Sequence, residues 1–245
     1  MLDLLKEIVS VSSDIQSFNV ICFNKYIELS LLKGLSNYRI LTIDNILSHS
    51  WQNTFPSHLL KFVADLGIVL LIVNMVDGKP ISIIFRGISA KEFRVLSLPH
   101  NLPYRIGLLS SDFKFGDLIV CVEGPFDADI FSSIYPNVVA VMASGLSGFQ
   151  KQFLMSLTDS IALFYDNDDA GQKSLLKDFR TLSKTVNVYS GRIYPGDKDP
   201  GDLWDSYFNS HNPDVARIEF YKSQLDSISL SKKQKSISGK VITSL

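Results

Sequence analysis

Apolar residues fall along this chain in two rhythms, and the change comes near Asp117. Before it, Leu2, Leu4, Leu5, Ile8 and Val9 recur at helical spacing, as do Tyr26, Ile27, Leu31 and Leu32 ahead of Gly34. Thr42–Leu47 and Ser57–Val63 read as short helices, the second entered from Pro56-Ser57 as a cap. Residues 1–66 are therefore expected to be mostly helical, a piece for packing or partner contact that carries no chemistry. Ile68–Met75 and Pro80–Ile88 follow, apolar and β-branched, and the Asp77-Gly78 pair between them is a hairpin signal. Phe93–Leu98 is a candidate third strand, so residues 67–116 read as a small β-meander.

After Asp117 the pattern becomes strict alternation. Apolar runs at Leu118–Val122, Val138–Met142, Ile161–Tyr165 and Val186–Tyr189 read as strands. Helical stretches at Pro125–Ile134, Ser147–Leu157, Ala170–Ser183 and Pro200–Phe208 separate or follow them. Strands joined by helices in this way imply βαβ units and a parallel sheet, an α/β domain over residues 117–212. One more helix is expected from Asp214 to about Leu225. The Ser/Lys-rich end, Ser227–Leu245, has little to bury and is expected to be flexible, so residues 213–245 read as a helix and a basic tail.

Composition narrows the class. The 245 residues, 46% hydrophobic and 11% aromatic, are those of a folded globular protein. No apolar run approaches the ~18 residues of a membrane span, and the first residues carry acids where a signal peptide would be basic. The chain is read as cytoplasmic. Its two cysteines, Cys22 and Cys121, lie in apolar patterns, and no histidine stands at ligand spacing to them, so no zinc site is expected. The net charge of −1 is unevenly spread. Lys79–Gly116 carries Lys79, Arg86, Lys91, Arg94, Arg105 and Lys114 against Glu92 and Asp112, and Lys222–Leu245 carries five lysines against Asp226. A basic block beside an acidic remainder suits a metal-dependent protein that acts on polyanions.

The acids gather at strand ends. Asp166 and Asp168 follow Ile161–Tyr165 directly and can reach one point above the sheet edge. Oxygen ligands so placed suit Mg²⁺, which usually takes one or two carboxylates and keeps its waters or substrate phosphates. Asp is also a favoured helix cap, so one of the pair could serve the helix that follows. Glu123 and Asp127, one turn apart across Gly124-Pro125, sit at the end of the first strand of the alternation. Asp197, Asp199 and Asp202 follow the fourth. Carboxylates at three ends of one sheet repel unless a cation compensates, which points to a metal site.

These segments carry a resemblance. Val122-Glu123-Gly124-Pro125-Phe126-Asp127, Tyr165-Asp166-Asn167-Asp168-Asp169-Ala170-Gly171 and Lys198-Asp199-Pro200-Gly201-Asp202 resemble the three acidic motifs of the Toprim domain. The form is that of bacterial-type (DnaG-like) primases and phage helicase-primases. Met142-Ala143-Ser144-Gly145-Leu146-Ser147-Gly148-Phe149-Gln150 is similar to the primase segment between the first two motifs, with Ala143 in place of a glycine. Ile84-Phe85-Arg86-Gly87 and Arg105-Ile106-Gly107-Leu108 resemble the basic subdomain that precedes Toprim there. The resemblance spans about residues 70–210 and implies a Toprim-type parallel sheet flanked by helices, preceded by a basic β-meander and a helical segment. It implies RNA primer synthesis from NTPs on single-stranded DNA, dependent on two Mg²⁺ or Mn²⁺ ions. Asp166, Asp168, Asp199 and Asp202 would hold metal, Glu123 would hold metal or take the hydroxyl proton, and Asp127 would support it. Arg86, Lys91, Arg94, Arg105 and Lys198 would meet template backbone and triphosphate. Gly201 stands where those primases often have a further acid, which leaves the role of Asp202 open. The family's zinc-binding template reader and helicase motor have no counterpart in this sequence, so a replicative helicase or a separate zinc-binding protein is the implied partner. Two rivals share the motifs: a Toprim nuclease, and a Toprim module that clamps DNA without chemistry.

Overall fold

Val69–Val73 is an unbroken apolar run and Ile83–Phe85 another, both buried along their length, and the first part of the chain is built around the strands that carry them. The computed structural model describes residues 2–14, 38–42, 44–45, 57–76, 79–87, 95–98, 102–204 and 214–241. They divide into two units, Met1–Leu102 and Pro103–Leu245. In the first, α1 (Leu2–Val11), β1 (Ser13–Asp14), β2 (Tyr38–Thr42) and α2 (Ser57–Leu66) precede β3 (Ile68–Val76), β4 (Lys79–Gly87) and β5 (Val95–Leu98). The strands form one antiparallel sheet in the order β1-β2-β3-β4-β5. Val76 pairs with Lys79, and the Asp77-Gly78 pair between them lies outside the described residues. Leu41, Val69, Leu71, Val73, Ile83 and Phe85 form a core with Leu5 and Ile8 of α1 and Val63 of α2.

That core corrects the expectation of a helical piece over residues 1–66. Tyr38–Thr42 is a strand, paired along its whole length with Ile68–Ile72. Tyr38, Ile40 and Leu41 are buried there, and tertiary pairing overrides a local pattern too short to distinguish helix from strand. Residues 1–66 therefore supply part of the meander's own sheet and core. The helical pattern at Tyr26–Leu32 lies outside the described residues, as do Lys91 and Arg94.

In the second unit the alternation folds as read. A 3-10 turn, Ile106–Leu108, leads to β6 (Ile119–Val122), α3 (Pro125–Phe131), β7 (Val138–Ala140), α4 (Gly148–Leu157), β8 (Ser160–Leu163), α5 (Asp169–Leu182) and β9 (Asn187–Ser190). All pairings are parallel and the order is β7-β6-β8-β9. Every residue of β6, β7 and β8 is buried, as expected of parallel strands covered on both faces. On one face Ile119, Cys121, Ile161 and Leu163 pack with Leu154 of α4 and Leu175 and Leu182 of α5. On the other, Phe164 meets Phe131 of α3 and Tyr221 of the last helix, ring centroids 5.1 and 6.1 Å away.

Two further stretches depart from the sequence reading. Pro200–Asp202 is a 3-10 turn, and the residues beyond Trp204 to residue 213 are not among those described. The last helix, α6, runs Val215–Val241, so most of the tail expected to be flexible is helical. Ile218, Tyr221, Leu225 and Ile228 are buried at spacings of three, four and three, one apolar stripe that docks the helix. Its continuation holds no proline and no glycine before Gly239, so nothing local stops it.

Candidate active site at the switch point of the parallel sheet

From β6 the chain crosses by α3 to β7 on one side, and from β8 it crosses by α5 to β9 on the other. The loops leaving β6 and β8 diverge, and the crevice so opened at the carboxyl ends of the strands is where sheets of this kind bind ligands. Glu123 follows β6 directly, and Asp166 and Asp168 follow β8 after Phe164 and Tyr165. The Asp166 N–H donates to Glu123 Oε1 (3.2 Å), which joins the first and second acidic segments. The Asn167 N–H donates to the Lys198 carbonyl (2.7 Å), which joins the second to the third. Within the third, the Lys198 N–H donates to Asp202 Oδ2 (2.7 Å). Main-chain donors thus hold three loops, far apart in sequence, around one cluster of carboxylates.

Local rules place each acid. Asp168 caps α5, its Oδ1 accepting from the Gly171 N–H (2.8 Å). Asp127 is buried in the first turn of α3, where it accepts from the Gly124 N–H (2.9 Å). The capping alternative is therefore realised at Asp168 alongside its place in the cluster. Two glycines allow the close approach. A Cβ on Gly171 would collide with the Asp166 carbonyl and lie 2.8 Å from Glu123 Oε1. A Cβ on Gly201 would lie 2.5 Å from Asp127 Oδ1 and 2.9 Å from Asp199 Oδ1. Gly201 thus lets the third loop rest on the first, a physical reason for glycine where the primase pattern often has an acid.

The electrostatics are those of crowded carboxylates. Burial, then the charge of Asp166, pushes Glu123 up to about 7. Burial, then Asp199, pushes Asp166 up to about 6. Asp199 is raised by burial and by Asp202, and Asp197 rises to about 6 through burial, against the pull of Arg217. Lys198 is exposed, and its charge pulls Glu123, Asp166 and Asp199 downward, so its ammonium faces the cluster. Asp166 Oδ1 is buried without a hydrogen-bond partner. A buried, unpaired carboxylate oxygen among other acids fits a hard divalent cation, and the all-oxygen donor set suits it. Among the described residues no three His, Cys, Asp or Glu side chains are grouped, as they stand, to hold a metal ion.

The expected basic contacts fare differently. Arg86 sits half-buried on β4 opposite Leu70 and Val95. Arg105 departs from expectation. Its side chain is 9% exposed and its Nη1 lies 2.5 Å from Asp129 Oδ1, while the Tyr104 O–H donates to the other Asp129 oxygen (2.8 Å). Tyr104 also bridges Ala140 through its main chain, so this segment is anchored beside β7 and its guanidinium is committed to the fold. Sequence reasoning missed Gly171 as a contact residue, although it stood in the second acidic motif. It also missed Asp178, which accepts from the Leu146 N–H (2.7 Å) and the Tyr165 O–H (2.9 Å) and pairs with Lys151 (2.8 Å). No local pattern marks Asp178, because its partners lie 13 to 32 residues away.

Residues 120–204 match the family described as Toprim-like. The fold of the chain is that of the catalytic core of DnaG primases. A DNA primase domain from Pseudomonas aeruginosa superposes with a TM-score of 0.61 at 15% identity, covering 84% of this chain and 74% of that one. The RNA polymerase domain of Mycobacterium tuberculosis primase DnaG, in complex with a double-stranded DNA oligomer bearing a 6-nucleotide overhang, gives 0.61 at 16% identity, covering 92% and 79%. By sequence, the DNA primase of Staphylococcus epidermidis is 35% identical over 97 residues, 38% of this chain. That match spans 16% of the length of the Staphylococcus protein. No helix among the described residues is long and apolar enough to cross a membrane.

Proposed function

We propose that this chain is the catalytic core of a DNA primase, joining ribonucleotides into short RNA on a single-stranded DNA template. The observation that carries the reading is the carboxylate cluster at the switch point of the sheet, with Asp166 Oδ1 buried and unpaired at its centre. In the reaction a 3′-hydroxyl oxygen bonds to the α-phosphorus of an NTP, the bond from that phosphorus to the bridging oxygen breaks, and pyrophosphate leaves. The hydroxyl proton needs an acceptor. Glu123, pushed up to about 7 at the edge of the cluster, is matched to that role near neutral pH. Asp166, Asp168, Asp199 and Asp202 would hold Mg²⁺ or Mn²⁺. A cation so held supplies charge neutralisation on the phosphoryl oxygens. Lys198, exposed beside the acids, would meet the triphosphate. Arg86, Lys91 and Arg94 remain the candidates for template backbone, and a replicative helicase or a zinc-binding template reader is the proposed partner.

The test is synthesis of labelled oligoribonucleotides from single-stranded DNA and NTPs with Mg²⁺, with and without a replicative helicase. Asp166→Asn should abolish synthesis and keep the melting temperature unchanged or slightly raised in metal-free buffer, because it relieves like-charge repulsion. Asp168→Asn should do the same, since Asn retains the cap while removing the charge. Cation-dependent cleavage of DNA with no synthesis would replace this reading with a nuclease. DNA binding with neither reaction would replace it with a clamping module.

A further inference from the structure

The third acidic loop is gripped from outside the Toprim-like segment. Helix α6 begins eleven residues beyond that segment, which ends at residue 204. One face of its first turns, Arg217, Tyr221 and Gln224, is spaced four and three apart and turned toward residues 192–202. Arg217 Nη2 lies 2.7 Å from Asp197 Oδ1, and its Nη1 donates to the Asp202 carbonyl (3.3 Å). The same guanidinium lies over the Tyr194 ring, 5.3 Å from its centre. The Tyr194 N–H donates to the Tyr221 hydroxyl (3.1 Å). Gln224 closes a two-way pair with the Arg192 main chain, accepting at 2.8 Å and donating at 3.0 Å. The Asp197 side chain is 2% exposed and that of Arg217 is 21% exposed, so this pair is largely shielded from solvent. The loop has little regular structure of its own between β9 and the Pro200–Asp202 turn, so these contacts act with the Asn167–Lys198 hydrogen bond to fix where Asp199 and Asp202 stand.

We propose that Arg217 is a positioning residue for the carboxylate cluster: through Asp197 and the Asp202 carbonyl it presets the loop that carries Asp199 and Asp202. The inference rests on the proposed function for its consequence in catalysis, and on the contacts alone for its consequence in the loop. Removing an outer partner of this kind typically lowers metal affinity or activity by about 10- to 100-fold.

The experiment uses the full chain. Mn²⁺ binding is followed by electron paramagnetic resonance, amide hydrogen exchange is followed across residues 192–202, and primer synthesis is titrated with Mg²⁺. Arg217→Met should weaken Mn²⁺ binding about tenfold, raise the Mg²⁺ needed for half-maximal synthesis by a similar factor, and speed exchange in the loop. Arg217→Lys should recover part of each effect. Gln224→Ala, a milder change in the same grip, should speed exchange near Arg192. Glu219→Gln, on the exposed face of the helix, should change none of them. Unaltered Mn²⁺ affinity and unaltered loop exchange in Arg217→Met would overturn the proposal. If the unaltered chain binds no Mn²⁺, the proposed function fails, and the exchange data still decide whether Arg217 holds the loop.

Discussion

Single residues decide whether three loops can share one point. Gly171 is the tightest of them, its Cα against the Asp166 carbonyl and Glu123. Gly171→Ala is expected to cost about 1–3 kcal/mol in urea unfolding, because backbone must shift to admit the methyl group. It should also lower synthesis, because the shift moves Asp166. Gly148→Ala, with open space around its Cα, serves as the comparison that leaves both unchanged. Protonation belongs to the same scale. Glu123 and Asp166, held up at about 7 and about 6 chiefly by burial, bind extra protons in the folded state above the ordinary carboxylate range. A group whose folded pKa is raised stabilises below its unfolded value and loses that contribution as pH climbs through the folded one. Metal-free stability should therefore fall from about pH 4 to about pH 7, read as a declining melting temperature. Saturating Mg²⁺ should flatten the fall, and its own binding should tighten over the same window as the protons leave. A rise in metal-free stability across that window would contradict the crowded-carboxylate account.

At the scale of elements, helices are tied together beneath the site. The Lys151–Asp178 pair joins α4 to α5, and Asp178 also holds the Leu146 N–H and the Tyr165 O–H. Tyr165 precedes Asp166, so this network supports the second acidic segment from below. Lys151→Met would leave the Asp178 charge buried with its strongest partner gone, and a loss of about 3–5 kcal/mol is expected in chemical denaturation. Lys151→Met with Asp178→Asn should be less destabilising than the sum of the two single changes, since the pair is removed together. Additive costs would mean that Lys151 and Asp178 act independently.

At the scale of the whole chain, the first unit cannot be trimmed at residue 66. Leu5, Ile8, Leu41 and Val63 belong to the same core as Val69, Leu71 and Phe85, and β2 pairs with β3 along its length. Deleting residues 1–66 should leave β3 with an open edge and produce insoluble or molten protein, seen as dye binding and loss of a cooperative transition. Residues 103–245 have a separate core and should fold on their own with a cooperative melt. A soluble, cooperatively folded deletion of residues 1–66 would show that those residues are dispensable packing.

The sequence by itself determined the α/β alternation after Asp117, the Asp-Gly hairpin and the identity of the acids. Each of these is written in local periodicity, or in a residue type that only one local geometry favours. Leu118–Val122 and Ile161–Tyr165 announced buried strands, and Glu123, Asp166 and Asp168 stood at their ends. Periodicity could not say that Tyr38–Thr42 is a strand, because five residues hold too few repeats and the pairing partner begins at Ile68. Nor could it foresee that the Arg105 guanidinium turns inward to Asp129, or that Arg217 reaches back to Asp197. Only the tertiary structure decided these, because a charged side chain's partner is chosen by what the fold brings within about 3 Å of it, and the chain carries no local mark of that distance.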